Sequence, residues 1–268
     1  MRIDVNGHAT FCYTGGKVLD AAKPTLVFIH GALNDHSVWI LQTRYMANHG
    51  WNVLAPDLPG HGKSAGVPPA TVEAAADFVL AMLDAAGLAR VALVGHSFGS
   101  LIALEVAARA PARVSHLVLA GTAFPMRVSP ALLETSQQQP LKAIEMVNVF
   151  SHSMLAPPPS ALGPGTWVYG SSRALMRRVL ASNTEVNLFY TGFKACNDYT
   201  NGETAIQQVT APILFILGKR DQMTLPKAAQ LLIGKAAQSK VVLLDAGHQM
   251  MLESPDGVLF ALRDFLAA

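Results

Sequence analysis

Val91-Ala92-Leu93-Val94-Gly95-His96-Ser97-Phe98-Gly99-Ser100-Leu101-Ile102-Ala103-Leu104-Glu105-Val106-Ala107-Ala108-Arg109-Ala110 runs from a short apolar stretch, through G-x-S-x-G, into an alanine- and leucine-rich segment. By composition a five-residue match of this kind turns up in roughly one chain in ten of this length. The flanks therefore carry the weight. A strand before the serine and a helix after it are the setting in which two glycines permit a crowded turn, and that turn pushes the Ser97 hydroxyl out at the carboxyl edge of a sheet.

Working outward, the same texture repeats. Thr25 to Ile29, Trp51 to Ala55, His116 to Ala120, Ile213 to Leu217 and Val241 to Leu244 are near-continuous apolar runs, as expected of strands covered on both faces. Helix-length segments lie between them: Ser37 to Asn48, Thr71 to Ala86, Phe98 to Arg109, Pro226 to Ala236 and Pro255 to Leu266. The alternation predicts repeated βαβ crossovers. Gly50, Gly87 and Pro111 punctuate helix ends. Near the N-terminus, Asn6-Gly7 between two short extended runs predicts an antiparallel hairpin, because both positions tolerate positive φ.

From Ala123 to Ala205 the rhythm stops. No strand run appears, and Pro125, Pro130, Pro140, Pro157 to Pro159 and Pro164 cut the stretch into short helical pieces. We expect residues 1–122 and 206–268 to form the core and residues 123–205 an inserted helical lid. Its apolar side chains (Met126, Leu132, Leu133, Ile144, Met146, Phe150, Met154, Trp167, Phe189 and Phe193) should divide about equally between a pocket and the insertion's own small core. Arg127, Lys142, Arg173, Arg177 and Lys194 are candidates to place a cation at the pocket mouth.

A serine hydroxyl is protonated at neutral pH, so it needs an adjacent base, and that base needs a group to fix its tautomer. Behind a strand-turn-helix serine these follow in the order acid, then histidine. Only His116, His152 and His248 come after Ser97. His116 opens a strand at the wrong end and His152 falls in the insertion, whereas His248 lies just past the last strand. Asp221 follows the Ile213 to Leu217 strand by a short loop; the turn after the preceding strand, Gly121-Thr122-Ala123-Phe124, has no carboxylate. Asp245, three residues before His248, is the rival and is expected to cap or pair locally. Backbone N–H groups should hold a developing oxyanion: Phe98 by location, and Ala32 in His30-Gly31-Ala32-Leu33, with Leu33 as the one-residue alternative.

Composition narrows the class. The chain has 268 residues, 51% of them hydrophobic and 14% charged, with a formal net charge of +2. Such a chain buries a large core, and its small charge makes nucleic acid an unexpected partner. Arg173, Arg177 and Arg178 share one helical face and read as solvated. Cys12 and Cys196 show neither a disulfide framework nor zinc spacing, so a reducing, cytoplasmic setting is expected. No apolar run reaches membrane-spanning length, and the N-terminus lacks the signature of a signal peptide.

His30-Gly31, Asp57-Leu58-Pro59-Gly60-His61-Gly62-Lys63-Ser64, the Ser97 turn, Gly218 to Asp221 and Gly247-His248 together resemble the lidded α/β-hydrolase superfamily. The resemblance implies a mostly parallel sheet of about eight strands with an N-terminal antiparallel hairpin, helices on both faces and an inserted lid. It also implies a Ser97-Asp221-His248 triad, structural roles for Asp57 and His61, and loop-supporting roles for His30 and His96. The implied reaction is hydrolysis of an ester-type bond in a small to medium, partly apolar molecule, without a metal or organic cofactor. Thioester cleavage, carbon–carbon hydrolysis, acyl transfer to another alcohol and perhydrolysis of the haloperoxidase type share this apparatus. A small-molecule receptor on the same fold is the expectation from another class. A serine at the turn departs from the family branches that use an aspartate nucleophile.

Overall fold

A computed structural model of the chain describes residues 1–153 and 167–267. Met154, Pro157, Pro158, Pro159 and Pro164 lie outside the described residues. β1 (Arg2–Val5) and β2 (His8–Tyr13) form the expected hairpin, turning at Asn6 (φ 54°) and Gly7 (φ 82°). Six further strands follow: β3 (Thr25–Ile29), β4 (Asn52–Pro56), β5 (Val91–His96), β6 (Val114–Ala120), β7 (Ile213–Gly218) and β8 (Ser239–Leu244). They make one eight-stranded sheet in the order β1-β2-β4-β3-β5-β6-β7-β8. β1, β2 and β4 pair antiparallel; every pairing from β4 to β8 is parallel.

The helices are α1 (Ile40–Asn48), α2 (Val72–Ala85), α3 (Phe98–Arg109), α4 (Pro130–Gln138), α5 (Pro140–Ser151), α6 (Val168–Ala181), α7 (Leu188–Asp198), α8 (Gly202–Gln208), α9 (Gln230–Lys235), α10 (Met250–Glu253) and α11 (Pro255–Leu266). The sheet is sandwiched between them, and strand alternation decides which side each residue serves. Val27, Ile29, Leu93 and Phe215 pack with α2 and α3, while Leu26, Phe28, Val94 and Leu214 pack with α1 and α11. Central β3, β5 and β7 are buried along their whole length, which is why their sequences run apolar without a break. β8, at the edge, is largely exposed.

Helices α4 to α8 all fall between β6 and β7. The loops after β3, β5, β7 and β8 open at the same carboxyl edge, the side on which an open α/β sheet binds ligands.

Candidate active site

Ser97 sits between β5 and α3 with φ 54° and ψ −120°, a conformation that a residue bearing a Cβ adopts at a cost of about 1–3 kcal/mol. Its N–H donates to the Ala120 carbonyl (2.9 Å), and its carbonyl accepts from Ser100 N–H (2.8 Å) and Ser100 Oγ (2.6 Å). Close packing explains the flanking glycines. A Cβ on Gly95 would overlap the Gly99 carbonyl, and one on Gly99 would overlap the carbonyls of Ile29 and His30. The strained turn therefore rests on strand pairing and helix packing on both sides.

His248 and Asp221 come together at the same edge. His248 Nδ1 lies 2.8 Å from Asp221 Oδ2, both side chains being buried. Burial would raise the Asp221 carboxyl; the facing imidazole and the donors on Thr224 outweigh it and hold the carboxyl below its ordinary value. Thr224 is a residue that sequence reasoning missed. Its N–H donates to Asp221 Oδ1 (2.8 Å), its Oγ1 donates to Asp221 Oδ2 (2.7 Å), and that same Oγ1 is 3.1 Å from His248 Nδ1. Asp245, the rival acid, instead pairs with Arg220 at the surface (2.9 Å).

Backbone and side-chain hydrogen bonds hold the His248 loop in place. His96 Nε2 donates to the His248 carbonyl (3.0 Å). Burial, reinforced by the neighbouring His248, pushes His96 down to about 3, so it serves as a neutral donor. Glu253 accepts from Gly247 N–H and also from Ser153 N–H (2.8 Å) and Ser153 Oγ (3.0 Å), joining the loop to the segment after α5. Gln249 N–H donates to the Ser151 carbonyl (3.0 Å).

The loop after β3 closes as a turn, with Asn34 N–H on the Gly31 carbonyl (3.3 Å) and Leu33 at φ 53°. Ala32 borders the cavity, whereas Leu33 is buried in the core. Phe98 opens α3, so its N–H has no acceptor one helical turn earlier. His30 donates to the Gly31 carbonyl (2.9 Å) and accepts Leu58 N–H (3.1 Å), stitching the loops after β3 and β4. His61 donates to the Pro59 carbonyl (3.0 Å). Asp57 accepts from His36 N–H (2.8 Å), His36 Nδ1 (2.7 Å) and Lys63 N–H (2.9 Å). Asp35, His36 and Asp57 cluster closely enough to suggest a metal site. Their oxygens are already engaged by these donors, and Asp35 is held by Ser37 and by Arg178 (2.8 Å).

Ser97 and His248 face a cavity of about 290 Å³. Of the apolar residues expected to divide between pocket and core, Met126, Leu132, Met146, Phe150 and Phe193 line it. Ile144 and Phe189 are buried in the core, and Trp167 is exposed. Among the candidate cations only Arg127 reaches the cavity. Arg173 and Arg177 pair with Glu145 (2.6 and 3.6 Å), and Lys194 pairs with Asp198.

Comparison with known proteins agrees with this architecture. Residues 24–255 match the model of the family described as alpha/beta hydrolase fold. A pimeloyl-[acyl-carrier protein] methyl ester esterase from Neisseria meningitidis serogroup B is 27% identical over 264 residues, covering 92% of this chain and 94% of the relative. An enol-lactonase from Burkholderia xenovorans superposes with a TM-score of 0.83 at 22% identity, covering 100% of both chains. An esterase from Exiguobacterium antarcticum gives 0.83 at 18% identity, covering 100% of this chain and 99% of the other. At those identities the two structures speak for the fold alone.

Proposed function

The chain belongs to the α/β-hydrolase family, and on that premise we propose that it is a serine hydrolase that cleaves esters through an acyl group carried on Ser97. One observation carries the reading. His248 has its Nδ1 on buried Asp221 at 2.8 Å, which leaves Nε2 as the bare nitrogen, and it shares one cavity with a serine held in a strained turn.

In the proposed reaction, Ser97 Oγ attacks the ester carbonyl while His248 Nε2 takes its proton. Ala32 N–H and Phe98 N–H receive the oxyanion. The tetrahedral intermediate collapses, the C–O bond breaks, and the departing alcohol leaves with the proton from His248. Water then attacks the Ser97 ester, giving its proton to His248; the acid departs and Oγ regains the proton. Asp221 keeps the imidazole oriented and stabilises its charged form throughout.

Residues 123–205 are proposed as the lid that gives the cavity its apolar, methionine-rich wall, suited to a small or medium acyl group. Met side chains adapt to varied shapes, so chain length is expected to be graded rather than sharply cut off. We place the protein in a reducing, cytoplasmic setting, since Cys12 and Cys196 are free and buried. Among the described residues no helix is long and apolar enough to cross a membrane.

The test is a panel of acyl esters of graded length, methyl esters included because of the name of the Neisseria relative, with thioesters alongside. Ser97→Ala should fold normally and lose nearly all turnover. Ester hydrolysis retained by the pure variant would overturn the assignment.

A further inference from the structure

The cavity wall is mostly apolar; besides Arg127 and the histidines at Ser97, it carries uncharged polar side chains with hydrogen-bonding atoms left over. Asn34, 4% exposed, spends its Nδ2 on the Ala32 carbonyl (3.2 Å), and its buried Oδ1 meets no partner among the described residues. Ser151, fully buried at the last residue of α5, likewise has an Oγ without a partner among the described residues. Both residues line the cavity. One helical turn before Ser151, Asn148 leaves both amide atoms without a partner among the described residues; His152, the residue after Ser151, donates Nδ1–H to the Asn148 carbonyl (2.9 Å) and has no described partner on Nε2.

This polarity is not needed to build the helix. The earlier buried positions of α5, Ala143, Ile144 and Val147, are apolar. An alanine or valine in place of Asn148 or Ser151 would avoid the desolvation cost that unpaired buried polar atoms carry. A few polar groups placed in an otherwise apolar wall are how a ligand pocket fixes orientation and specificity.

Neither cavity-lining group carries a charge. Asn34 Oδ1 can only accept, and Ser151 Oγ can accept or donate. Nothing in that pair compensates a carboxylate or phosphate, whereas an uncharged O–H or N–H suits both. Asn34 Nδ2 holds the Ala32 carbonyl, so a donor received by the same amide sits beside the residue whose N–H is proposed for the oxyanion.

Resting on the esterase reading above, we propose that Asn34 and Ser151 form a polar subsite that selects esters bearing an uncharged hydrogen-bond donor, a hydroxyl or amide N–H, near the scissile carbonyl. A purely alkyl ester of the same length leaves these atoms unpaired and so binds less tightly.

Binding separates this from catalysis. Calorimetry on the Ser97→Ala protein, with methyl hexanoate and each enantiomer of methyl 3-hydroxyhexanoate as probes, should show one hydroxy ester binding about tenfold tighter than the alkyl ester. Ser151→Ala and Asn34→Leu, each added to Ser97→Ala, should shrink that ratio by about threefold or more. Asn34→Leu also removes a turn contact, so the single-hydroxyl deletion at Ser151 is the cleaner arm, with thermal melting as the folding control. Equal affinities, no binding of either hydroxy ester, or a ratio that Ser151→Ala leaves unchanged would overturn the subsite. If wild-type protein cleaves none of the esters, the esterase reading falls, while the calorimetric ratio still decides the subsite.

Discussion

Thr224 shows how a single side chain supports the proposed chemistry without reaching the reacting atoms. A carboxylate facing an imidazole has several lone pairs, and any left unpaired in a buried site cost stability and orientation. Here Thr224 supplies a backbone and a hydroxyl donor to Asp221, and its hydroxyl also touches His248 Nδ1. Thr224→Val keeps the shape and the N–H and removes only the hydroxyl. We expect kcat to fall about five- to tenfold with KM little changed, matching the loss of one buried hydrogen bond, and Thr224→Ser to restore most of it. Steady-state kinetics on the best ester of the panel checks this; a change confined to KM would place Thr224 in substrate binding instead. The sequence could not point to this residue. Strand position and a vacant alternative point to Asp221, but the contacts of Thr224 and Glu253 depend on the shape of loops, which no local pattern encodes.

At the scale of elements, the strand-turn-helix around Ser97 was legible because its constraints are local: an apolar strand, a helix-forming run and two glycines. The structure supplies the reason for the glycines, since β5 meets α3 so closely that a Cβ on Gly95 would overlap the Gly99 carbonyl. Gly95→Ala should therefore destabilise the fold by about 3 kcal/mol, because neither the buried strand nor the helix can yield cheaply. Urea denaturation measures it, and a loss below about 1 kcal/mol would mean that the two elements can move apart. Less legible was the placement of β4 outside β3, which depends on a crossover rather than on either strand's sequence. The fate of the apolar residues between β6 and β7 was equally hidden: Met146 and Ile144 share α5, yet one lines the cavity and the other is buried in the core.

For the whole molecule, buried neutral histidines set the response to acid. Burial is the main cause that lowers His30, His61, His96 and His152, with His61 near 4 and His96 near 3, against an ordinary value of 6.5. The sign follows from proton counting. Below 6.5 the unfolded chain takes up protons that these folded residues refuse, so stability falls with pH, and for His61 it does so until about 4. Each such histidine contributes a slope of up to about 1.4 kcal/mol per pH unit in that window. The carboxyls held low, Asp221 among them, add their own loss only at more acidic pH, from the ordinary carboxylate range downward until they too protonate in the fold. Unfolding free energy should therefore drop steeply on acidification from neutrality to about pH 5, well above the range of ordinary carboxylate titration. His61→Asn isolates one contribution, because its amide can still donate to the Pro59 carbonyl while carrying no titrating group. Its unfolding free energy, measured by urea titration across that range, should fall less steeply than wild type by close to one proton's worth; identical slopes would show that His61 does not resist protonation in the folded state.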